Sequence, residues 1–342
     1  MNENRQGLQE TKPAPRLALV TGANGFIGSS LVEGLLQQGY TVRAMVRQGS
    51  DMSLLRGLTY GLVNADFKDL PALARACSRA EFVFHLAARA SDWGAYQQFY
   101  EANVEATKAI AEAARQAGVR RLVYVSTATV YGPDSRRHVR ECDLSGNLRI
   151  AYARTKRMAE DYLLGLTGLE VVIVRPGDVM GPRDRISAPS MIRSARNYLL
   201  PCVASGNASM CYTYIGNLIK GIILAAERGR ASEAYNISDG IELSYQEFFD
   251  ELSEALRRPK IRLHVPIFIA YPISAIYEFV YHLFRSKNGP SVTRYRVLRA
   301  FRDCHMSIEK ARKELGYEPD LDLKAQVRAL TDWYLAWEKT CR

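Results

Sequence analysis

The sequence is poor in the residue patterns that bind metals or cross-link small secreted domains. Its 342 residues include six cysteines and five histidines, with no C-x-x-C spacing and no cluster of histidines beside the cysteines. Neither a zinc site nor a disulfide framework is indicated, and no metal ligand is assigned. Unpaired thiols of this kind are typical of a reducing compartment, so a cytoplasmic protein is expected. The thiols belong to Cys77, Cys142, Cys202, Cys211, Cys304 and Cys341.

The sequence also lacks an apolar run of membrane-spanning length. Residues 1–15 are polar and contain proline, so they are predicted to be a disordered leader and not a signal peptide. The run Leu263–Tyr277 has no formal charge for 15 residues but contains Pro266 and Pro272. It therefore falls short of the roughly 18 residues that a spanning helix needs.

Two interpretations of residues 263–285 stay open. The favoured one is a core or dimer-contact helix that forms a wall of the substrate pocket. The other is a peripheral helix that dips into lipid, with basic residues meeting anionic headgroups. These basic residues would be Arg285, Lys287, Arg294, Arg296, Arg299 and Arg302. The net charge of +10 suits such contact, but the basic residues are spread along the chain, so nucleic-acid binding is not indicated.

A glycine-rich turn stands between a predicted strand and a predicted helix near the start of the chain. An apolar run ends at Thr21, the glycines Gly22, Gly25 and Gly28 follow, and apolar residues then recur at helical spacing. Glycines in such a turn let the backbone approach a pyrophosphate closely, with the helix N-terminus aimed at the anion. The turn therefore predicts dinucleotide binding.

Strands and helices alternate after this turn. Such alternation predicts an α/β fold, namely a Rossmann-type doubly wound parallel sheet with a smaller C-terminal α/β lobe for the substrate. The dinucleotide-binding domain is predicted over 16–180 with a returning segment at about 210–238, and the substrate lobe over 181–209 and 239–342. Predicted strands cover 40–46, 58–65, 82–88, 122–126 and 169–175, and predicted helices cover 72–77, 95–117 and 150–166.

Tyr152 and Lys156 are four residues apart on a predicted helix, so both side chains project from one face. A positive charge about 5 Å from a phenol, at an effective dielectric of roughly 20, favours the phenolate by about 3 kcal/mol, or about two pKa units. Such a pair is suited to proton transfer.

Five motifs in this order resemble those of the extended short-chain dehydrogenase/reductase superfamily, of the NAD-dependent epimerase/dehydratase type. Residues 21–28 resemble its dinucleotide turn, and residues 85–88 its nicotinamide-side strand. Residues 126–132 and 152–156 resemble its catalytic segments, and residues 175–177 the turn after its sixth strand. The chain is most similar to the 3β-hydroxysteroid dehydrogenase and dihydroflavonol reductase-like branch.

The resemblance implies an enzyme in which Tyr152 transfers the alcohol proton while the nicotinamide exchanges hydride. Lys156 would hold the nicotinamide ribose and lower the Tyr152 pKa, and Thr127 would hydrogen-bond the substrate oxygen, with Ser126 as the alternative. His85 is interpreted as a core histidine. Implied cofactor contacts are Gly22, Gly25, Phe26, Ile27, Gly28, Arg47, Asp66, Phe67, Leu86, Ala87, Ala88, Asn103, Ser126, Tyr152, Lys156, Pro176 and Val179. Implied substrate contacts are Trp93, Thr127, Ala128, Thr129, Met191 and Tyr214.

The choice between NADP(H) and NAD(H) depends on the end of the second strand. Arg47 stands where an acidic residue usually binds the adenosine ribose in NAD sites, and arginine suits the 2′-phosphate of NADP. NADP(H) is favoured, and Asp51 leaves NAD(H) open.

The substrate is predicted to be hydrophobic. Relatives that bind sugar nucleotides carry an arginine that clamps the pyrophosphate, whereas Cys211 stands at that position and Asn217 replaces an aspartate of the same segment. The expected reaction interconverts a secondary alcohol and a ketone on a sterol, an isoprenoid or a long-chain 3-keto or 3-hydroxy acid.

Two alternatives are retained. One is a sugar-nucleotide 4-epimerase or dehydratase with tightly bound NAD, and the other is a non-catalytic dinucleotide-sensing module. By analogy with relatives, the helices at 95–117 and 150–166 are expected to form a homodimer contact.

Overall fold

A seven-stranded parallel sheet forms the centre of the computed structural model, which describes residues 16–134, 136–144, 146–197, 202–284, 286 and 289–340. The predicted leader at 1–15 lies outside these residues. The strand order is β12-β7-β5-β4-β1-β2-β3, so the order reverses between β1 and β4 as in a doubly wound sheet. The strands are β1 (Leu17–Thr21), β2 (Thr41–Val46), β3 (Gly61–Asn64), β4 (Phe82–His85), β5 (Arg121–Val125), β7 (Glu170–Pro176) and β12 (Glu233–Ile237).

Helices cover both faces of this sheet, because successive strand residues point to opposite sides. Val20 and Phe84 belong to one apolar core, and their neighbours Leu19 and Val83 to the other. The predicted fold class is confirmed. The helices flanking the sheet are α1 (Phe26–Gln37), α2 (Leu70–Cys77), α3 (Tyr96–Tyr100), α4 (Ala106–Gln116), α5 (Ala151–Leu164), α7 (Ile215–Arg228) and α11 (Glu309–Leu315).

The predicted helix over 95–117 contains a π-helical turn at Glu101–Glu105 that joins α3 to α4. Asn103 lies in this turn and is 1% exposed. Its side chain accepts a hydrogen bond from the Arg89 amide at 2.8 Å and donates one to Thr155 Oγ1 at 3.0 Å. The turn thus connects the loop after β4 to α5.

A second lobe has its own apolar core, which contains Ile192, Phe248 and Leu330. The elements are α6 (Ala188–Arg196), α8 (Tyr245–Ala255), α9 (Ile267–Leu283), α10 (Arg294–Phe301) and α12 (Leu323–Thr340). Short strands outside the large sheet are β6 (Arg136–Val139), β8 (Asp178–Met180), β9 (Cys202–Val203), β10 (Ser209–Met210), β11 (Tyr212–Tyr214), β13 (Leu243–Ser244), β14 (His264–Val265) and β15 (Cys304–Met306).

One segment lies in a different core from the one predicted for it. Ile308, Ala311 and Leu315, assigned by the sequence to the substrate lobe, pack into the apolar core of the large sheet. Their spacing of three and four residues indicates a helix with one apolar face. The spacing carries no information about which of the two cores that face enters.

Helix α9 corresponds to the apolar run. The expectation that it lies in the core is wrong, and the alternative of a dimer contact stays a prediction. Ser274 is its single buried residue, and Phe268, Ile276, Phe279 and Leu283 are each more than 60% exposed. Within the described ranges, no helix has both the length and the apolar character needed to cross a membrane.

Four of the arginines named for lipid contact make ion pairs within the protein. Each has an acidic partner within 3.2 Å, so its charge is already balanced locally. The pairs are Arg294–Glu278, Arg296–Asp92, Arg299–Asp178 and Arg302–Asp134. Arg285 and Lys287 lie outside the described residues.

A buried ion pair fixes α5 to the sheet. Arg175 of β7 donates to Glu160 of α5 at 2.7 Å, and their side chains are 2% and 0% exposed. Arg175 also donates to the hydroxyl of Tyr131 at 3.0 Å and to the Glu141 carbonyl at 2.8 Å. Tyr131 in turn donates to Asn236 of β12. One guanidinium therefore joins four segments of the chain.

Replacing Arg175 with Met should lower the free energy of unfolding by about 3–5 kcal/mol, because Glu160 would keep a buried carboxylate without its cation. Arg157→Met provides a matched control, since Arg157 pairs at 2.9 Å with the largely exposed Asp161 on the same helix. That change should cost about 1 kcal/mol or less. Urea unfolding followed by circular dichroism measures both, and equal losses would contradict the assignment.

Candidate active site

The glycine turn is packed so tightly that it leaves no room for a side chain at Gly22 or Gly28. Gly22 has a φ of +65°, and a Cβ there would lie 2.9 Å from the Ala87 Cα. A Cβ on Gly28 would lie 2.1 Å from the Gly22 carbonyl oxygen. Gly25 is the N-cap of α1 and offers no side-chain cap, so the first N–H groups of the helix stay available to an anion. The turn fits a dinucleotide pyrophosphate.

A chain of hydrogen bonds orders the end of β4 beside this turn. Thr21 Oγ1 accepts from the Leu86 and Ala87 amides at 3.2 and 3.3 Å and contacts His85 Nδ1 at 2.8 Å. Because Thr21 already accepts twice, its proton goes to Nδ1, and the His85 proton is assigned to Nε2. Nε2 then donates to Thr107 Oγ1 at 3.0 Å.

His85 is a buried, neutral histidine. It is fully buried, and burial together with the charge of Lys156 lowers its pKa to about 3. The interpretation of His85 as a core residue is confirmed. His85 contacts the Thr21 hydroxyl, which in turn accepts from the amides of Leu86 and Ala87, both predicted cofactor contacts.

Helix α5 and the turn after β5 bring the three predicted catalytic residues to one edge of the sheet. Tyr152 is half-buried in the first turn of α5, and a hydrogen bond with Thr127 acts on its hydroxyl. Thr127 caps the 3₁₀ turn Ala128–Tyr131, accepting from the Thr129 amide at 3.2 Å. Lys156 is 1% exposed and donates to the Val125 carbonyl at 2.7 Å.

The expected lowering of the Tyr152 pKa is wrong for the protein alone. Burial raises the pKa of Tyr152 to about 12, and the hydrogen bond with Thr127 only partly offsets this. Burial also lowers the pKa of Lys156 to about 7, so much of its charge is lost near neutral pH. The Lys156 ammonium lies 4.0 Å from the centre of the Tyr124 ring. Sequence spacing gives the shared face of the helix but not the depth of burial.

Ser126 offers a polar atom to the same region. Its Oγ is buried and has no hydrogen-bond partner within the described chain, although its backbone amide donates to Val174. An unpartnered buried hydroxyl between Val125 and Thr127 suits a cofactor or substrate group that donates or accepts a hydrogen bond. Ser126 is therefore compatible with its predicted cofactor role.

The remaining predicted cofactor residues occupy the carboxyl ends of the strands. Arg47 and Asp66 are exposed just after β2 and β3, and Phe67 packs edge-on against His85 with ring centres 5.6 Å apart. Within the described residues, no hydrogen bond or ion pair engages the Arg47 guanidinium. Asp51, the alternative, pairs with Arg185 at 2.8 Å and accepts from the Ser53 amide at 2.9 Å.

Asn103 supports the loop after β4 by accepting a hydrogen bond from the Arg89 amide. Its buried amide holds the Arg89 backbone and Thr155, as described above, so the structure gives it a supporting position next to the predicted cofactor groove.

The predicted substrate residues are distributed among several elements. Ala128 and Thr129 follow Thr127, and Tyr214 ends β11, where its amide donates to the buried Asp239. Met191 of α6 packs on the core of the second lobe. Trp93 lies in the loop after β4, with its ring centre 4.2 Å from that of His282 on α9. Pro176 and Val179 lie at the end of β7 and on β8.

Helix α10 contributes residues that sequence reasoning missed. The phenol of Tyr295 is close enough to Tyr152 for its pKa to be raised by that neighbour, after burial as the main cause. Arg299, one turn later, binds Asp178 of β8 at 2.8 Å. The spacing of four residues between Tyr295 and Arg299 indicates that they share one face of a helix. The spacing does not indicate that this face lies near Tyr152.

Cys211 and Asn217 have structural surroundings. Cys211 is 2% exposed, and its carbonyl accepts from the Asp178 amide. Asn217 donates to the Asp320 carbonyl at 2.7 Å and accepts from the Asp320 amide at 2.8 Å. Neither residue offers a cation to a pyrophosphate.

A possible metal-ligand group consists of His138 on β6, Glu242 just before β13 and His305 on β15, and includes none of the predicted catalytic residues. Glu242 already has Arg137 at 3.5 Å and His138 at 3.3 Å. The group is thus built around an existing ion pair, and no metal is assigned to it.

Comparison with known proteins agrees with this geometry. A model of the NAD dependent epimerase/dehydratase family matches residues 18–238. The chain is 32% identical over 323 residues to a 2-alkyl-3-oxoalkanoate reductase of Stenotrophomonas maltophilia, covering 91% of this chain and 97% of the relative. It is 30% identical over 319 residues to a 3-beta-hydroxysteroid dehydrogenase of Mycolicibacterium neoaurum, covering 88% and 86%. The crystal structure of gox2253 superposes with a TM-score of 0.80 at 27% identity, covering 94% and 98%.

The buried Lys156 makes stability depend on pH. Its pKa is about 7 in the folded protein against 10.5 as a free side chain. Between these values the unfolded chain holds the proton more tightly, so stability should rise with pH. We expect the cofactor-free protein to gain stability relative to Lys156→Met between about pH 7 and 10, with the full penalty present below pH 7. Urea unfolding at several pH values measures this, and a constant difference between the two proteins would refute it.

Proposed function

Because the chain belongs to the NAD dependent epimerase/dehydratase family, we propose that this NAD(P)-dependent oxidoreductase interconverts a secondary alcohol and a ketone on a hydrophobic substrate. The observation that carries the proposal is the group formed by Tyr152, Thr127 and Lys156 beside the glycine turn. A dinucleotide in this groove would be held by Gly22, Gly25 and Gly28 at its pyrophosphate and by Lys156 at its nicotinamide ribose.

The residues of the chain have defined roles in this proposal. The nicotinamide, when bound, accepts a hydride from the alcohol carbon or returns it to the ketone carbon. Tyr152 accepts the hydroxyl proton during oxidation and returns it during reduction. Thr127 keeps the substrate oxygen within hydrogen-bond reach of the phenol. Lys156 stabilises the phenolate once its ammonium is held near the phenol and the ribose.

The raised pKa of Tyr152 gives the bound cofactor a further role. A phenol with a pKa of about 12 is a weak acid near neutral pH. A positively charged nicotinamide and a protonated Lys156 both favour the phenolate, because an opposite charge within a few ångströms lowers an acid pKa. Proton transfer is therefore coupled to cofactor occupancy.

The surroundings of the site favour a substrate without a nucleotide. The buried Cys211 and the internally bonded Asn217 supply no pyrophosphate clamp, and the phenol of Tyr295 is close enough to Tyr152 to interact with it electrostatically. Among sterol, isoprenoid and long-chain acid substrates, we favour a long-chain 3-keto or 3-hydroxy acid. A relative of 32% identity is named as a 2-alkyl-3-oxoalkanoate reductase, which supports this class.

The substrate class can be tested by following reduced-nicotinamide absorbance with 2-alkyl-3-hydroxy acids, hydroxysteroids and nucleotide sugars. We expect turnover with the hydroxy acids and no stoichiometric NAD retained after purification. Tyr152→Phe should lose at least 100-fold in kcat/KM while its cofactor affinity changes little, because general acid–base catalysis contributes about 10² to 10⁴-fold.

Retained NAD together with turnover of nucleotide sugars would favour the epimerase alternative. Unchanged activity in Tyr152→Phe would overturn the catalytic assignment.

We propose NADP(H) as the preferred cofactor because the Arg47 guanidinium is exposed at the end of β2, whereas Asp51 is already paired with Arg185. Replacing Arg47 with Ala should raise the KM for NADPH roughly tenfold or more, since a charge-assisted bond is worth about 1.5–3 kcal/mol. The KM for NADH should change little. Arg115→Ala, an exposed change on α4, is the control. An effect confined to NADH would reverse the assignment.

A further inference from the structure

Helix α9 exposes an apolar surface that its own chain does not cover. Nine large apolar side chains in and directly after it are between 38% and 76% exposed, whereas Ser274 alone is buried. They are Phe268, Ile269, Ile273, Ile276, Tyr277, Phe279, Val280, Leu283 and Phe284. Contiguous exposed patches of this kind mark interaction sites more often than ordinary surface.

The exposed residues occupy one half of the helix. At 100° per residue, all nine and Pro272 fall within an arc of about 180°. The opposite half carries Ser274 and Glu278, and Glu278 binds Arg294 at 2.6 Å. A surface helix normally turns its polar half outward. Helix α9 instead turns an apolar half outward over 17 residues, a length of about 25 Å.

Basic residues precede this apolar surface. Arg257, Arg258, Lys260 and Arg262 are exposed in the segment that leads to β14 and α9. Asp250 is the acidic partner of two of them, at 3.4 Å from Lys260 and 2.6 Å from Arg262. In the sequence, Arg285 and Lys287 follow the helix directly. An apolar strip with cations before and after it complements an anionic lipid surface.

A second copy of the chain would be a poorer partner for this face. Two α9 helices packed side by side and parallel would bring the exposed cations that precede one helix near those that precede the other. Like charges in contact oppose association.

At the edge of its exposed half, α9 touches the loop after β4 through His282. The Trp93 ring lies against His282, and its indole N–H donates to the Ser286 carbonyl at 3.3 Å. Asp92 in the same loop accepts from Thr293 Oγ1 and pairs with Arg296 at 2.8 Å. Tyr295, which stands between Thr293 and Arg296 in the chain, is the residue of α10 whose phenol interacts electrostatically with Tyr152.

We propose that α9 is a membrane-docking helix whose exposed half enters the interface of an anionic bilayer, with the preceding cations on the headgroups. Docking places the Trp93 loop next to lipid, so that a hydrophobic substrate can pass from the bilayer to Tyr152 without crossing water. The route to Tyr152 rests on the proposed function, whereas the docking itself does not.

The docking is tested by co-sedimentation of the full chain with vesicles of phosphatidylcholine, with and without phosphatidylglycerol. We expect binding to the anionic vesicles that weakens in high salt, and at least tenfold weaker binding to the neutral ones. The triple variant F268S/F279S/L283S should lose at least tenfold in binding. The control L62S/L70S removes apolar residues of similar exposure from β3 and α2 and should bind like the wild type.

Two further measurements separate the alternatives. R257Q/R258Q should weaken binding to anionic vesicles and leave thermal stability unchanged. Light scattering should give the same mass for the wild type and the triple variant. A lower mass for the variant would assign the face to a second copy and overturn the proposal, as would vesicle binding that the triple variant retains or the wild type lacks.

Activity distinguishes this proposal from the proposed function. The triple variant should keep kcat/KM on a short, water-soluble hydroxy acid and lose rate only on a substrate held in vesicles. If no substrate is turned over, the proposed function fails while vesicle binding still decides the docking.

Discussion

The buried ion pair between Arg175 and Glu160 is the contact on which the active site depends. Helix α5 carries Tyr152 and Lys156, and Glu160 lies on the same face of that helix one turn beyond Lys156. The Arg175 guanidinium holds this face against β7. It also donates a hydrogen bond to the hydroxyl of Tyr131, which ends the 3₁₀ turn capped by Thr127. The proton-transfer group therefore has a fixed geometry because one cation joins the helix to the turn.

The same burial that fixes the site works against its charges. Lys156 and His85 sit under the carboxyl edge of the sheet, where a proton on either is costly. His85 avoids the cost of a buried charge because it stays neutral, with its ring nitrogens hydrogen-bonded to Thr21 and Thr107. Lys156 keeps a carbonyl and an aromatic ring as partners, yet its pKa still falls. The protein thus holds a polar cluster ready for a ligand that brings compensating charge and hydrogen bonds.

Much of the fold and of the candidate active site can be predicted from the sequence, because these features depend on the spacing of residues that are close together in the chain. The spacing of Gly22, Gly25 and Gly28 predicts a turn, and the spacing of Tyr152 and Lys156 predicts a shared helix face. The alternation of strands and helices predicts the parallel sheet. Other features depend on partners far away in the chain. The burial of Lys156, the approach of Tyr295 to Tyr152 and the outward face of α9 are decided by packing between elements. No pattern within a window of a few residues contains that information.

The π-helical turn at Glu101–Glu105 acts as a phase shift in the long helix. A π turn holds one residue more than an α turn, so deleting that residue would rotate α3 against α4 by about 100°. Asn103 would then leave the Arg89 backbone and Thr155 at the same time. The rotational setting of this helix, and with it the link between the Trp93 loop and α5, is thus encoded by a single inserted residue.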